Sequence, residues 1–229
     1  MNTEVLKNMS TSDIITLLDG SRPFLSLMTY YGCALREVET KLQVLNDEFK
    51  LNHDRNPIES IKSRMKTPRS IIEKLERKGI DAAVLTPEEY IETIELELFD
   101  IAGIRVICSF PDDIYKIADQ LISQDDITLI RSKDYILSPK PNGYRSLHLI
   151  VEVPVFFSSG KRNMKVEVQL RTMAMDFWAS LDHKLRYKKD LSNHEDIAGE
   201  LKKCADVINA TDYRMQQIRK MIDGYPFSE

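Results

Sequence analysis

The stretch from Ser146 to Arg171 constrains the fold most, because two runs separated by turn residues alternate apolar and polar side chains at a period of two. In the first run Leu147, Leu149, Val151, Val153 and Val155 share one face, and in the second Val166, Val168 and Leu170 do the same. Successive side chains of a strand point to opposite sides. The pair therefore predicts a β-hairpin, Ser146–Phe157 with Met164–Arg171, turning across Ser158-Ser159-Gly160-Lys161. Its apolar face has to be covered. Its other face carries His148, Ile150 and Glu152 from one strand and Glu167, Gln169 and Arg171 from the other. Long polar groups in that position need water or a ligand, and this stretch alone leaves both open.

Around the hairpin the element types alternate. Thr67-Pro68 reads as an N-cap with proline in the first turn of a helix that stops at Gly79. Thr86-Pro87-Glu88-Glu89 repeats the signal as a capping box between Thr86 and Glu89. Gly103–Phe110 reads as a β-branched strand, 112–123 as a helix, 127–137 as a strand and 173–189 as a helix with Ala174, Phe177, Trp178, Leu181 and Leu185 on one face. The fold class expected is α+β, a mixed β-sheet covered by helices.

Two heptad seams flank this middle region. Met28, Tyr31, Leu35, Val38, Leu42, Leu45 and Phe49 form one, in a helix from about Phe24 to Leu51. Ile197, Leu201, Cys204, Ile208, Thr211, Met215, Ile218 and Ile222 form the other, ended by Gly224 and Pro226. They can pack on each other, on the core or on another subunit. The division expected is an N-terminal helical extension over 1–54, a central domain over 55–190 and a C-terminal helical extension over 191–229.

Composition excludes several classes. The 229 residues hold 42% hydrophobic side chains, too many for wholesale disorder, and no apolar run long enough to span a bilayer. Met1 to Gly20 lacks a charged start followed by an apolar block and does not read as a secretory signal. Cys33, Cys108 and Cys204 are far apart and form no CxxC, so reduced thiols in a cytoplasmic protein are expected. His53-Asp54 has no further metal-ligand residues at suitable spacing and reads as loop.

The net charge of −4 conceals a split. Residues 60–79 hold seven bases against two acids, and residues 88–100 hold six acids and no base. Arg64 and Lys66 precede the Thr67 cap, while Ser70, Lys74 and Lys78 recur at spacings of four on the following helix. Bases gathered near a helix N-terminus suit a polyphosphate. Neither GxxxxGK[ST] nor GxGxxG occurs, which disfavours a P-loop ATPase and a Rossmann dehydrogenase. Asp100 closes the acidic block at the edge of a strand, and with Glu167 it could hold Mg²⁺. Arg105 is available for stacking or phosphate. The loop Ser138-Pro139-Lys140-Pro141-Asn142-Gly143-Tyr144-Arg145 presents an aromatic ring between two bases, which suits a purine carrying phosphates.

Four motifs in order then carry a resemblance: Arg64-x-Lys66-x3-Ser70-x3-Lys74, Asp100-Ile101-Ala102-Gly103-Ile104-Arg105, Asp134 through His148, and Glu167-Val168-Gln169-Leu170-Arg171-Thr172. Together, over roughly 55–190, they resemble the (p)ppGpp synthetase domain of RelA/SpoT-type enzymes. The flanking helices and the segment Met175–Lys184 make the chain similar to the small alarmone synthetases, nearer the RelP-like than the RelQ-like branch.

The resemblance implies a nucleotidyltransferase-like synthetase fold and transfer of pyrophosphate from ATP to the 3′-hydroxyl of GTP or GDP, releasing AMP. It implies that Arg64 and Arg105 clasp adenine and that Lys66, Ser70 and Lys74 hold the ATP phosphates. Asp100 and Glu167 would bind Mg²⁺, with Glu167 also accepting the 3′-hydroxyl proton. Tyr144 would stack on guanine, helped by Lys140, Asn142, His148 and Gln169. It further implies a homotetramer. No His-Asp hydrolase motif is found, so synthesis without hydrolysis is expected, with no membrane partner and no sequence feature that supports RNA as one. Two rival readings remain at this stage: a catalytically silent nucleotide- or RNA-binding module, and an enzyme moving a nucleoside monophosphate.

Overall fold

The computed structural model describes residues 21–52, 54–81, 85–186 and 194–224. The sequence readings at Met1–Gly20, His53, 187–189 and Pro226 lie outside them. The chain runs α1 (Arg22–Asn52), β1 (Ile58–Met65), α2 (Pro68–Arg77), α3 (Pro87–Glu97), β2 (Ala102–Cys108), α4 (Pro111–Ile122), β3 (Thr128–Asp134), β4 (Leu147–Phe157), β5 (Gly160–Thr172), α5 (Met173–Arg186) and α6 (His194–Ile222).

Five strands form one mixed sheet in the order β1-β2-β5-β4-β3. β5 occupies the centre, parallel to β2 and antiparallel to β4, while β1–β2 and β3–β4 are antiparallel pairs. The apolar face expected from the hairpin is buried: Val151, Val166, Val168 and Leu170 have no exposed surface. Helix α1 lies across this face, with Phe24, Leu27, Tyr31, Val38, Leu42 and Phe49 in the same core as the sheet. Its seam thus packs on the sheet rather than on α6, and α1 is part of the central core.

The caps form as their residues dictate. Thr67 accepts from the Ser70 amide at the start of α2, and Thr86 and Glu89 exchange both capping-box bonds at the start of α3. Gly79, with φ of +79°, ends the turn after α2.

Three readings need correction. Strand β1 was not expected; its sequence, IESIKSRM, has three scattered apolar residues, Ile58, Ile61 and Met65, and no alternation, as an edge strand tolerates. On α5, Met175 and Trp178 face the core, whereas Phe177 and Leu185 are exposed. On α6 the packed face is rotated away from the heptad seam: Ala205, Asp212 and Gln216 are buried, while Cys204, Thr211, Met215, Ile218 and Ile222 are exposed. The helix is held by polar bonds that hydrophobic periodicity does not register. Thr172 Oγ1 donates to Asp212 Oδ2 at 2.5 Å, the Asp112 amide donates to Gln216, and Trp178 Nε1 donates to the Leu201 carbonyl at 2.9 Å.

Candidate active site

Strand register builds the polar face of the sheet into two rows. One row crosses all five strands as Lys133, His148, Gln169, Arg105 and Lys62; the next crosses them as Arg131, Ile150, Glu167, Gly103 and Arg64. Glu167 therefore stands at the middle of the sheet, between the bases of β1–β2 and the aromatic loop that follows β3. Above the rows lies a cleft of about 760 Å³, lined by Arg64, Lys74, Asp100, Tyr144, His148 and Glu167 among others. A slot of about 150 Å³ adjoins it over Gly103, between Arg64 and Arg105.

The polar face is not simply solvated, because its side chains satisfy one another. Glu167 Oε1 pairs with His148 Nδ1 at 3.2 Å, and Oε2 accepts from Gln169 Nε2 at 2.8 Å. Gln169 Oε1 accepts from Arg171 Nη2 at 3.1 Å, and the same nitrogen donates to Tyr144 Oη at 2.6 Å. Tyr144 Oη closes the circuit on His148 Nε2 at 2.8 Å. The His148 ring thus bridges the Tyr144 hydroxyl and the Glu167 carboxylate, one nitrogen to each. Burial, the largest influence on Glu167, works against its charge. The hydrogen bonds and pull of His148, aided by Gln169, prevail and hold the carboxyl below its ordinary pKa.

The second carboxylate is equally well provided. Lys74 Nζ and Lys66 Nζ both reach Asp100 Oδ2, at 2.5 and 2.9 Å. Burial opposes the charge of Asp100, but the two lysines outweigh it and depress its pKa. Its other oxygen, Oδ1, is buried with no hydrogen-bond partner. A carboxylate with a depressed folded pKa adds stability above its unfolded value of about 3.9 and loses it as pH falls through the folded value. We expect Asp100→Asn to lower Tm at pH 7, with the gap to the unaltered protein closing only below about pH 4 in a Tm series against pH.

The loop after β3 is shaped from within. Asp134 Oδ1 accepts from the amides of Ile136 and Leu137, and Asn142 Oδ1 accepts from the Tyr144 amide. Gly143 has φ of +88° and nests against α6, where a Cβ would lie 2.5 Å from that of Ala205. Lys140 Nζ sits 4.7 Å from the ring centroids of both Tyr135 and Tyr144.

Of the residues singled out from the sequence, Arg64, Lys74, Asp100, Lys140, Tyr144, His148, Glu167 and Gln169 line the main cleft, and Arg105 lines the adjoining slot. Lys66 reaches the site through Asp100. Two others do not line it: the Ser70 hydroxyl is bonded to Thr67 Oγ1, and Asn142 shapes the loop while its amide faces Asp182 at 3.4 Å. Arg145 also turns away, toward the Ile136 carbonyl and Asp206. Lys78 pairs with Glu97 at the cleft rim.

The structure adds Arg131, Lys133 and Tyr135 to the lining. The first two alternate on β3 in register with Ile150 and His148, so strand alternation was the signal for them. Among the described residues no cluster of three or more His, Cys, Asp or Glu side chains is gathered for a metal. A Mg²⁺ ion needs no such cluster, since it is commonly held by one or two carboxylates with phosphate oxygens and water. The unpartnered Oδ1 of Asp100 fits that requirement.

Two carboxylates, one buried and one partly buried, among lysines and arginines and facing a cation-backed aromatic loop, define an enzyme working on the phosphates of purine nucleotides. Residues 63–192 match the model of the region found in RelA / SpoT proteins. The chain is 44% identical over 193 residues to the GTP pyrophosphokinase YwaC of Bacillus subtilis, spanning 84% of this chain and 89% of that protein. The crystal structure of small alarmone synthetase 1 from Bacillus subtilis bound to its product pppGpp superposes with a TM-score of 0.74 at 35% identity, covering 84% of this chain and 94% of that one. Small alarmone synthetase 2 from the same organism gives 0.73 at 41% identity, over 85% and 96%. The chain belongs to the RelA/SpoT family.

Proposed function

We propose that this chain is a GTP pyrophosphokinase. It transfers the β,γ-pyrophosphoryl group of ATP to the 3′-hydroxyl of GTP or GDP, giving pppGpp or ppGpp and AMP. The observation that carries the reading is the placement of Glu167, ionised and doubly hydrogen-bonded, between a two-arginine slot and an aromatic loop. A reaction joining two nucleotides needs a base between two purine sites. The names of the relatives supply the substrates.

In this reading the slot between Arg64 and Arg105 takes adenine, since guanidinium planes stack on aromatic faces. Lys66 and Lys74 now neutralise Asp100 and would exchange it for ATP phosphate oxygens. Guanine stacks on Tyr144, with Lys140 behind the ring and His148 and Gln169 at its edge. Glu167 accepts the proton of the 3′-hydroxyl. Its depressed pKa keeps it charged at neutral pH at some cost in basicity. Asp100 and Glu167 would hold Mg²⁺, which when bound supplies charge neutralisation for the transferred phosphates. Ser70, whose hydroxyl accepts from Thr67, keeps its own proton to donate to a phosphate oxygen, and Asn142 contributes by setting the loop.

Two further parts of the proposal concern the chain's setting. A homotetramer is supported by apolar faces left open on a single chain: Phe177 and Leu185 on α5, and Val207, Ile218 and Ile222 on α6. A cytoplasmic location is supported by three free cysteines, and no helix among the described residues is long and apolar enough to cross a membrane.

The test is to incubate the protein with ATP, GTP and Mg²⁺ and to resolve the nucleotides by anion-exchange chromatography. AMP and a guanosine pentaphosphate should rise together, and EDTA should stop both. Formation of neither, by a protein that binds ATP and GTP, would contradict the proposal.

A further inference from the structure

The functional reading gives no role to Asp176, the acidic residue that pairs with arginines of both subsites. Asp176 lies in the first turn of α5, directly after β5. A single oxygen of its carboxylate, Oδ1, stands 3.3 Å from Arg105 Nη1 and 3.2 Å from Arg171 Nη1. These two arginines serve opposite sides of the cleft. Arg105 lines the slot over Gly103, whereas Arg171 donates to the hydroxyl of Tyr144.

The electrostatics of the trio depend on that oxygen. Arg171 is almost fully buried, and its other side-chain partners, Tyr144 and Gln169, are neutral. Arg105 is half-buried beside it, and burial and then the Arg171 charge weaken its hold on its proton. Two like charges brought together in a low-dielectric site repel strongly unless a counter-charge lies between them. Among the described residues Asp176 is the carboxylate in contact with both. Its backbone is fixed from behind: Thr172 Oγ1 accepts from the Met175 amide and donates to Asp212 on α6.

Resting on the pyrophosphokinase reading, we propose that Asp176 is a positioning residue that couples the two nucleotide subsites. Through Arg105 it sets the donor-purine slot, and through Arg171 it sets the Tyr144 ring for the acceptor purine. It touches neither nucleotide. Removing its charge takes the shared counter-charge from both guanidinium groups at once, so one substitution loosens both subsites.

The experiment measures binding without turnover. Titration calorimetry with α,β-methylene ATP, in which the bond to be broken is replaced, reports the donor site, and GDP alone reports the acceptor site. Asp176→Asn keeps an acceptor oxygen but removes the charge and should weaken each ligand about tenfold, the scale of a charge-assisted hydrogen bond reduced to a neutral one, and Asp176→Glu should recover most of both losses. Arg105→Ala should also weaken GDP, although Arg105 lies on the donor side. In the Asp176→Asn background the same change should have no further effect on GDP, which is the double-mutant signature of coupling through this carboxylate. Tm is recorded for every variant, and if Asp176→Asn does not fold, Asp176→Glu and Arg105→Ala decide the matter. GDP affinity unmoved by Arg105→Ala, or loss of only one ligand in Asp176→Asn, would overturn the proposal. If the coupling is found but the unaltered protein forms no AMP from ATP and GTP, the coupling stands and the reaction assignment falls.

Discussion

Replacing Glu167 with glutamine should lower kcat by about a hundredfold to ten-thousandfold, the range contributed by a positioned general base. The substitution is nearly isosteric, so the argument rests on charge and hydrogen bonding rather than on a cavity. Glu167 Oε1 and Oε2 now accept from His148 and Gln169 respectively. A glutamine offers one acceptor and one donor in their place. Gln169 cannot turn to meet the new donor without abandoning Arg171, because its own oxygen is already engaged there. One link of the circuit is therefore lost together with the base. Affinity for α,β-methylene ATP and for GDP should change far less than kcat, since stacking and most phosphate contacts lie elsewhere. A single-turnover assay beside calorimetry separates the two effects, and full activity in the variant would remove Glu167 from the mechanism.

The second large effect is expected at Tyr144. Base–aromatic stacking is worth about 1–3 kcal/mol per base, so Tyr144→Ala should raise the Kd for GDP about tenfold to a hundredfold. The donor site should be affected much less, because Tyr144 does not line the slot between Arg64 and Arg105 and reaches it indirectly, through Arg171 and Asp176 and through His148 and Glu167. Tyr144→Phe separates the two contributions of this side chain. It keeps the ring over which Lys140 sits and removes the hydroxyl that joins Arg171 to His148. Equal weakening of both nucleotides by Tyr144→Ala would contradict the stacking role.

Much of this was legible in the sequence because the decisive elements obey simple periods. β4 and β5 alternate apart from Ile150 where they face each other, so the burial of Val166, Val168 and Leu170 and the grouping of His148, Glu167, Gln169 and Arg171 followed from spacing alone. Thr67 and Thr86 announced their helices through local hydrogen bonds that need no tertiary partner. What escaped was set by long-range contacts. β1 pairs only with β2 and fully buries one of its eight residues, Ile58, so it carries no alternating apolar signature.

The face of α6 was misread for the opposite reason. Its buried residues include Asp212 and Gln216, which no hydrophobic pattern selects, and their burial depends on Thr172 and the Asp112 amide being opposite them. The local bonds of Ser70 and Asn142 were not legible for a related cause: each forms within its own turn, Ser70 Oγ with Thr67 Oγ1 at 3.0 Å and Asn142 Oδ1 with the Tyr144 amide at 3.3 Å. Asp176 could be placed on a helix from the sequence, but its position between Arg105 and Arg171 requires β2 and β5 to lie side by side.

The transfer itself is tested most directly by following one phosphorus atom. With ATP carrying ³²P in its β-phosphate, together with GDP and Mg²⁺, the account predicts that the label moves into a guanosine tetraphosphate while unlabelled AMP accumulates in equal amount. Label appearing in ADP would mean that only the γ-phosphoryl group moves. Label released as free pyrophosphate would mean that a nucleoside monophosphate is transferred, and either result would contradict the account.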